Sequence, residues 1–174
     1  ADLEGRYDRV EELDHGAFAS VALMRSRETT AKLVVAKQIG LSGLKRKELK
    51  QILTEVQVLA SLKHAHIVQF YHYHWDCTRL SLILEYAAGG TVARLVQRSV
   101  QLEWNLSISD VTLWLSQLAS ALHYVHGRRV LHRDLSSENV FIDYNGDILL
   151  GDFGLSHQLA AVRSTSDLFS RSGG

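Results

Sequence analysis

The segment His132-Arg133-Asp134-Leu135-Ser136-Ser137-Glu138-Asn139, followed by Asp152-Phe153-Gly154, decides how this chain is interpreted. Each polar group comes directly after a short apolar stretch, Val130–Leu131 before the first and Ile148–Leu150 before the second. Polar side chains at the ends of strands are well placed to face a shared cleft. Aspartate and asparagine oxygens are the hard ligands that Mg²⁺ prefers, and a further carboxylate can accept a proton from an attacking hydroxyl. Three unrelated surface turns are the alternative, which the order and spacing of the groups disfavour.

The residues around this segment predict a helix followed by short strands. Apolar residues recur at helical spacing from about Asp110 to His126, with Ser109 as a plausible N-cap and Gly127 as a plausible stop. Val130–Leu131, Val140–Ile142 and Ile148–Leu150 are then expected to be short strands.

The first half of the chain predicts five strands and one helix. The strands are expected at Tyr7–Leu13, Phe18–Met24, Lys32–Ile39, Val68–Tyr73 and Leu80–Tyr86, and Leu49 to Leu62 shows the helical period. The small residues from Ala87 to Gly90 are a candidate flexible hinge. This order predicts an α+β fold with two lobes.

Lys37 and Glu55 form a candidate buried pair. Lys37 follows the apolar residues Val34-Val35-Ala36, and Glu55 falls inside the apolar stripe of the helix that follows. An acid in that position must be paired, because an unpaired buried charge is strongly unfavourable. A lone strand lysine is more often a solvated edge residue, and Glu55 is what favours the pairing.

Taken together, these motifs resemble the catalytic and magnesium-binding loops of eukaryotic protein kinases, over nearly the whole chain from about Tyr7. The resemblance implies a five-stranded N-lobe with one main helix at residues 1–86. Residues 87–174 would be the hinge and the first part of a mainly helical C-lobe, ending inside the activation segment. The catalytic residues it implies are Asp134 as the base, with Lys37, Glu55, Arg133 and Asn139; Asn139 and Asp152 would be the metal ligands.

The resemblance also implies a nucleotide site for ATP with Mg²⁺. The stretch from Leu13 to Val21 aligns with the glycine-rich loop, but only Gly16 holds a glycine position, whereas Asp14 and Ala19 occupy the other two. The implied contacts with the nucleotide are Leu13, Gly16, Val21, Val35, Lys37, Leu84, Glu85, Ala87, Phe141 and Asp152. Leu59, Phe70, His132 and Phe153 would form the stack that joins the lobes.

Within the family, Phe141 and the Gly151 before the magnesium loop make the chain most similar to NIMA-related Ser/Thr kinases. One residue departs from the Ser/Thr pattern: Ser136 stands where a lysine usually contacts the γ-phosphate. The hydroxyl-rich residues 164–172 are a predicted site of activating phosphorylation, with Arg133 as the partner of the phosphate.

Composition narrows the class of partner. Lys plus Arg equals Asp plus Glu at 19 each, so no large basic field suggests nucleic-acid binding. No apolar run suggests a membrane span, and the single cysteine, Cys77, can form no internal disulfide. We expect a soluble cytoplasmic protein, with nuclear or cytoskeletal association open, that binds ATP and a protein substrate.

Two functions follow from the resemblance. The first is a kinase that transfers the γ-phosphate of ATP to serine or threonine hydroxyls of proteins. The second is a pseudokinase, a nucleotide-binding scaffold of the same fold, which Asp14, Ala19 and Ser136 favour.

Overall fold

The computed structural model describes residues 3–15, 19–28, 32–76, 78–153 and 157–158, except the side chains of Gln51, Glu55, His157 and Gln158. The elements in chain order are α1 (Leu3–Arg6), β1 (Tyr7–His15), β2 (Ala19–Ser26), β3 (Leu33–Gly40), α2 (Arg46–Ser61), β4 (Phe70–Trp75), β5 (Arg79–Glu85), β6 (Gly90–Thr91), α3 (Val92–Gln101), α4 (Ile108–Gly127), β7 (Val130–Leu131), β8 (Val140–Ile142), β9 (Ile148–Leu150) and β10 (His157–Gln158).

The N-terminal half is built on an antiparallel five-stranded sheet, as predicted. Its strands lie in the order β1-β2-β3-β5-β4. Side chains alternate between the two faces of a strand. Val34 and Ala36 of β3 are therefore buried in one core cluster with Ile83, while Val35 and Lys37 belong to the opposite face and line a cleft.

Helix α2 joins this sheet to the C-terminal half. It begins after Lys45, whose backbone N–H donates to the Glu48 carboxylate at 2.6 Å. Val56 is buried against strand β5, whereas Val58 is buried in the C-terminal core. Leu59, the residue after Val58, packs against both clusters, so α2 contributes apolar contacts to both halves.

Helix α4 and the short strands β7, β8 and β9 form the C-terminal core. The predicted helix is confirmed, but both of its predicted ends are wrong. The N-cap is Ser107, which has an extended backbone, and Ser109 lies inside the first turn. Gly127 is the last helical residue, and Arg129 adopts the left-handed conformation with φ 59° that a terminating glycine usually takes. Among the described residues, none of the helices combines the length and apolar character needed to cross a membrane.

The segment from Ala87 to Gly90 is tied to the C-terminal half, although a flexible hinge was expected. The Gly89 N–H donates to the Ile142 carbonyl at 2.8 Å, and β6 pairs with β8. Helix α3 follows at once, with the Thr91 hydroxyl accepting from the Arg94 N–H at 3.1 Å. Neither β6 nor α3 was predicted from the sequence.

Gly89 provides a test of this close packing. A Cβ at Gly89 would lie 2.8 Å from the carbonyl oxygen and the Cβ of Ile142. We expect Gly89→Ala to lower the free energy of unfolding by about 1–3 kcal/mol, the usual cost of an added group in a packed site. Chemical denaturation of the protein measures this change. Gly127→Ala is the matched control, because a Cβ there meets nothing within 4 Å. Equal stability of the two variants would contradict the packing.

Candidate functional site

A cleft of about 1450 Å³ lies between the N-terminal sheet and the C-terminal half. It collects residues from distant parts of the sequence, as the kinase resemblance implies. Of the residues predicted to contact nucleotide or metal, those that line it are Leu13, Val21, Val35, Lys37, Leu84, Glu85, Ala87, Asn139, Phe141 and Asp152.

The middle of the cleft is an apolar slot. Val21 and Val35 come from the neighbouring strands β2 and β3, and Leu84 stands opposite Val35 on β5. Phe141 packs with a small cluster that contains the buried Ala87. Such a slot suits a flat, apolar ring, and the N–H of Ala87 donates to no atom of the described residues.

Gly151 allows the Phe141 ring to lie where it does. A Cβ at Gly151 would be 2.7 Å from the Phe141 ring and 3.0 Å from the Val68 side chain. Because Gly151 has no side chain, its backbone, which directly precedes Asp152, can lie against the Phe141 ring. Sequence reasoning used Gly151 only as a sign of subfamily and missed this steric role.

The polar part of the cleft is centred on Lys37 and Asp152. The Lys37 ammonium donates to the Asp152 carboxylate at 2.6 Å. Asp152 adopts a left-handed backbone with φ 49°, which is uncommon for residues other than glycine. A non-glycine residue in this region is typical of functional sites, where the surrounding structure holds it in place.

Asp134 and Asn139 are joined to each other at the edge of this site. The Asn139 side-chain amide donates to the Asp134 carbonyl at 2.8 Å and to its carboxylate at 3.0 Å. Both amide hydrogens of Asn139 are thereby used, and its Oδ1 is the atom that remains to accept or to bind a cation. Asp134 itself does not line the cleft, but it is exposed and lies next to Asn139, which does.

His132 links the two polar segments. Its Nε2 lies 2.8 Å from the Gly151 carbonyl, and the Asp134 N–H points to its Nδ1 at 3.4 Å. A carbonyl only accepts and an N–H only donates, so Nε2 is the donor in the first contact and Nδ1 the acceptor in the second. The buried His132 ring therefore connects the backbone of Asp134 to the backbone of Gly151, the residue before Asp152.

The predicted stack between the halves is present as a run of contacts. The His132 and Phe153 rings lie 4.7 Å apart, edge to face. Leu59 packs against the cluster that contains Phe153 and against the one that Phe70 joins.

Several predicted residues lie outside the described part of the structure. These are Gly16, Gly154, the side chain of Glu55 and residues 164–172. The pairing of Lys37 with Glu55 therefore stays a prediction, and the described partner of Lys37 is Asp152. Arg133 is exposed, with φ 67°.

Helix α3 adds a wall to the cleft that was not predicted from the sequence. Thr91, Arg94 and Arg98 line this side. The signal was available, because Thr91 is a good N-cap and the apolar Val92, Leu95 and Val96 follow it at helical spacing.

Comparison with known proteins agrees with this geometry. The family model described as "Protein kinase domain" matches residues 7–172. NUAK family SNF1-like kinase 2 of Homo sapiens is 33% identical over 157 residues, which are 90% of this chain and 24% of that protein. Serine/threonine-protein kinase Nek9 of Xenopus laevis is 34% identical over 165 residues, 94% of this chain and 17% of the relative. An Aurora kinase of Patiria pectinifera is 36% identical over 156 residues, 88% of this chain and 37% of the relative.

The relatives therefore include NIMA-related kinases, as predicted, alongside NUAK and Aurora kinases of similar identity. The chain spans about a quarter of the length of the NUAK relative and less than two fifths of the others.

The contact between Gly151 and Phe141 predicts that Gly151→Ala weakens binding of adenine nucleotide. The new methyl group pushes the ring into the slot, and we expect the Kd for ATP to rise roughly tenfold, corresponding to about 1–3 kcal/mol of overpacking. Titration calorimetry with the purified protein measures it. Gly40→Ala is the control, since a Cβ there meets nothing within 4 Å. An unchanged Kd for Gly151→Ala would show that Phe141 does not form the floor of the nucleotide site.

Proposed function

This chain belongs to the protein kinase domain family, and on that premise we propose that the full-length protein transfers the γ-phosphate of ATP to serine or threonine hydroxyls of protein substrates. The observation that carries the proposal is the contact between Lys37 and Asp152 at one end of an apolar cleft, with Asp134 and Asn139 joined beside it. A strand lysine, an apolar slot and the oxygen atoms of Asp134, Asn139 and Asp152 serve the separate needs of phosphoryl transfer.

The apolar slot would bind adenine. Val21 and Val35 would lie on one side of the ring and Phe141 on the other. The Ala87 N–H and the Glu85 backbone would provide the hydrogen bonds of the hinge. Glu85 supports that role, because its N–H and its carboxylate are both bonded to the Gln69 backbone, which holds the strand end in place.

The oxygen donors of Asn139 and Asp152 fit a magnesium ion. The Asn139 amide hydrogens are engaged by Asp134, which leaves the carbonyl oxygen for a cation, and Asp152 adds a carboxylate. Bound there, Mg²⁺ would neutralise charge on the phosphates. Lys37 would orient the phosphate chain with its ammonium group.

Asp134 would orient the acceptor hydroxyl and accept its proton. Its carboxylate is held by Asn139 and its backbone by His132, so it is fixed relative to Asp152 before a substrate binds. A positioned base of this kind contributes typically 10²- to 10⁴-fold to rate.

The second candidate is a nucleotide-binding scaffold with little transfer. Asp14 lines the cleft and places a carboxylate on the wall where glycine is usual. Ser136 provides no positive charge next to Asp134. The intact set of Lys37, Asp134 and Asp152 favours the enzyme.

The role of Lys37 predicts that Lys37→Met abolishes transfer and preserves the fold. Methionine has a similar length and still packs, but it has no charge to orient the phosphates. We expect a loss of roughly a hundredfold or more in kcat, as for removal of other preorganised charges. Radiolabelled ATP with a generic protein substrate measures turnover, and circular dichroism checks the fold. Lys50→Met, on the exposed side of α2, is the control. Full turnover by Lys37→Met would exclude this site.

Replacing Ser136 with lysine is expected to increase the rate of phosphoryl transfer. Ser136 is exposed, and only its carbonyl is bonded in the described structure, to the Asn139 N–H. Ser136→Lys would restore a positive charge near the migrating phosphoryl group, and we expect kcat to rise roughly tenfold with little change in the KM for ATP. Ser137→Lys adds the same charge one residue away and should not accelerate transfer. Binding of ATP without transfer in both the native protein and Ser136→Lys would favour the scaffold.

A further inference from the structure

Two arginines on α3 line the cleft without an ion-pair partner among the described residues. Arg94 and Arg98 are exposed, and no carboxylate of the described residues lies within ion-pair distance of either guanidinium. Three arginines of the N-terminal half, by contrast, form ion pairs: Arg6 with Glu28, Arg9 with Glu12 and Arg27 with Asp8. Helix α3 itself contains no acidic residue.

The spacing of the two arginines places them one turn apart. Residues at i and i+4 are neighbours on a helix surface, and like charges there are mildly destabilising. An anion between the two guanidinium groups would remove this repulsion. The guanidinium forms paired hydrogen bonds with carboxylate or phosphate, which suits it to select such a group.

Helix α3 is held against the catalytic loop. The Ala93 N–H donates to the Ser137 carbonyl at 3.0 Å, and the Thr91 hydroxyl contacts the Glu138 carboxylate at 3.4 Å. Ser137 and Glu138 lie only a few residues after Asp134. The arginines are thus attached to the same rigid part of the molecule as the base that would receive the substrate hydroxyl.

The nucleotide phosphates do not account for these charges. Lys37 and Asp152 mark the phosphate end of the cleft, whereas α3 follows directly on the Ala87–Gly90 segment, where the adenine edge would bind. An anion at Arg94 and Arg98 therefore comes from a molecule other than the triphosphate chain.

We propose that Arg94 and Arg98 form a specificity site for an anionic side chain of the protein substrate, either an acidic residue or a phosphorylated one. The inference rests on the proposed kinase function and adds the class of substrate. Glu138 contacts the Thr91 hydroxyl of the residue before α3, and within the described residues it forms no ion pair with either arginine.

Peptide phosphorylation by the full-length protein tests the proposal. Peptides share one acceptor serine and carry glutamate, phosphoserine, alanine or arginine at each neighbouring position in turn. We expect at least one acidic or phosphorylated peptide to exceed its alanine parent about tenfold in kcat/KM, as paired charge-assisted hydrogen bonds allow. Comparison of the glutamate and phosphoserine peptides tells which of the two sources the site prefers.

Substitution of the two arginines tests whether α3 causes the preference for anionic peptides. The double variant Arg94→Gln/Arg98→Gln should lose the preference for acidic or phosphorylated peptides, while its KM for ATP stays unchanged. The control double variant Lys47→Gln/Lys50→Gln removes the same amount of charge from α2 and should keep that preference. Arg94→Glu with Arg98→Glu should shift the preference to the arginine peptides, a gain that a misfolded protein does not show.

An acidic preference that is absent, or that survives Arg94→Gln with Arg98→Gln, overturns the inference and leaves the kinase function standing. A rise in the KM for ATP without an effect on peptides also overturns it, because the arginines would then serve the nucleotide. Failure to phosphorylate any peptide, with ATP bound, instead contradicts the proposed function itself.

Discussion

The ion pair between Lys37 and Asp152 is the contact around which the rest of the site is arranged. It joins the third strand of the N-terminal sheet to the loop after β9, across the cleft. Both side chains remain partly exposed, at 26% and 39%. A pair with that much contact with water adds little to stability, so its importance is positional: it places a cation and a carboxylate at one point.

Two features of the fold make this meeting possible. On the sheet side, the alternation of β3 buries Val34 and Ala36 and turns Lys37 into the cleft, so its direction follows from the core. On the loop side, buried His132 holds the Gly151 carbonyl, and the left-handed backbone of Asp152 follows directly. Gly151 also admits the Phe141 ring, so the apolar floor and the polar end share one stretch of backbone.

Much of this arrangement is predictable from sequence, for identifiable reasons. The strands were found because their apolar runs are short and bounded by turns, and β7, β8 and β9 have the predicted limits. Helix α3 was missed because it follows a glycine pair that indicates a turn, although the apolar residues after Thr91 have helical spacing. The error at the N-terminal end of α4 has another cause: Ser107 and Ser109 are equally good caps by residue type, and only the backbone conformation distinguishes them. The contact of Lys37 with Asp152 depends on how the two halves of the chain pack together. Local sequence patterns carry no information on that packing.

The most direct test of the account is to separate nucleotide binding from transfer at Asp134. Asp134→Asn keeps the size of the side chain and the backbone carbonyl that Asn139 contacts, but it removes the base. Rapid-quench measurement of transfer from labelled ATP, together with calorimetry of ATP with Mg²⁺, determines both quantities on one preparation of the full-length protein. The account predicts an unchanged Kd for ATP and a loss of transfer of roughly a hundredfold or more. Transfer at the native rate by Asp134→Asn would contradict it.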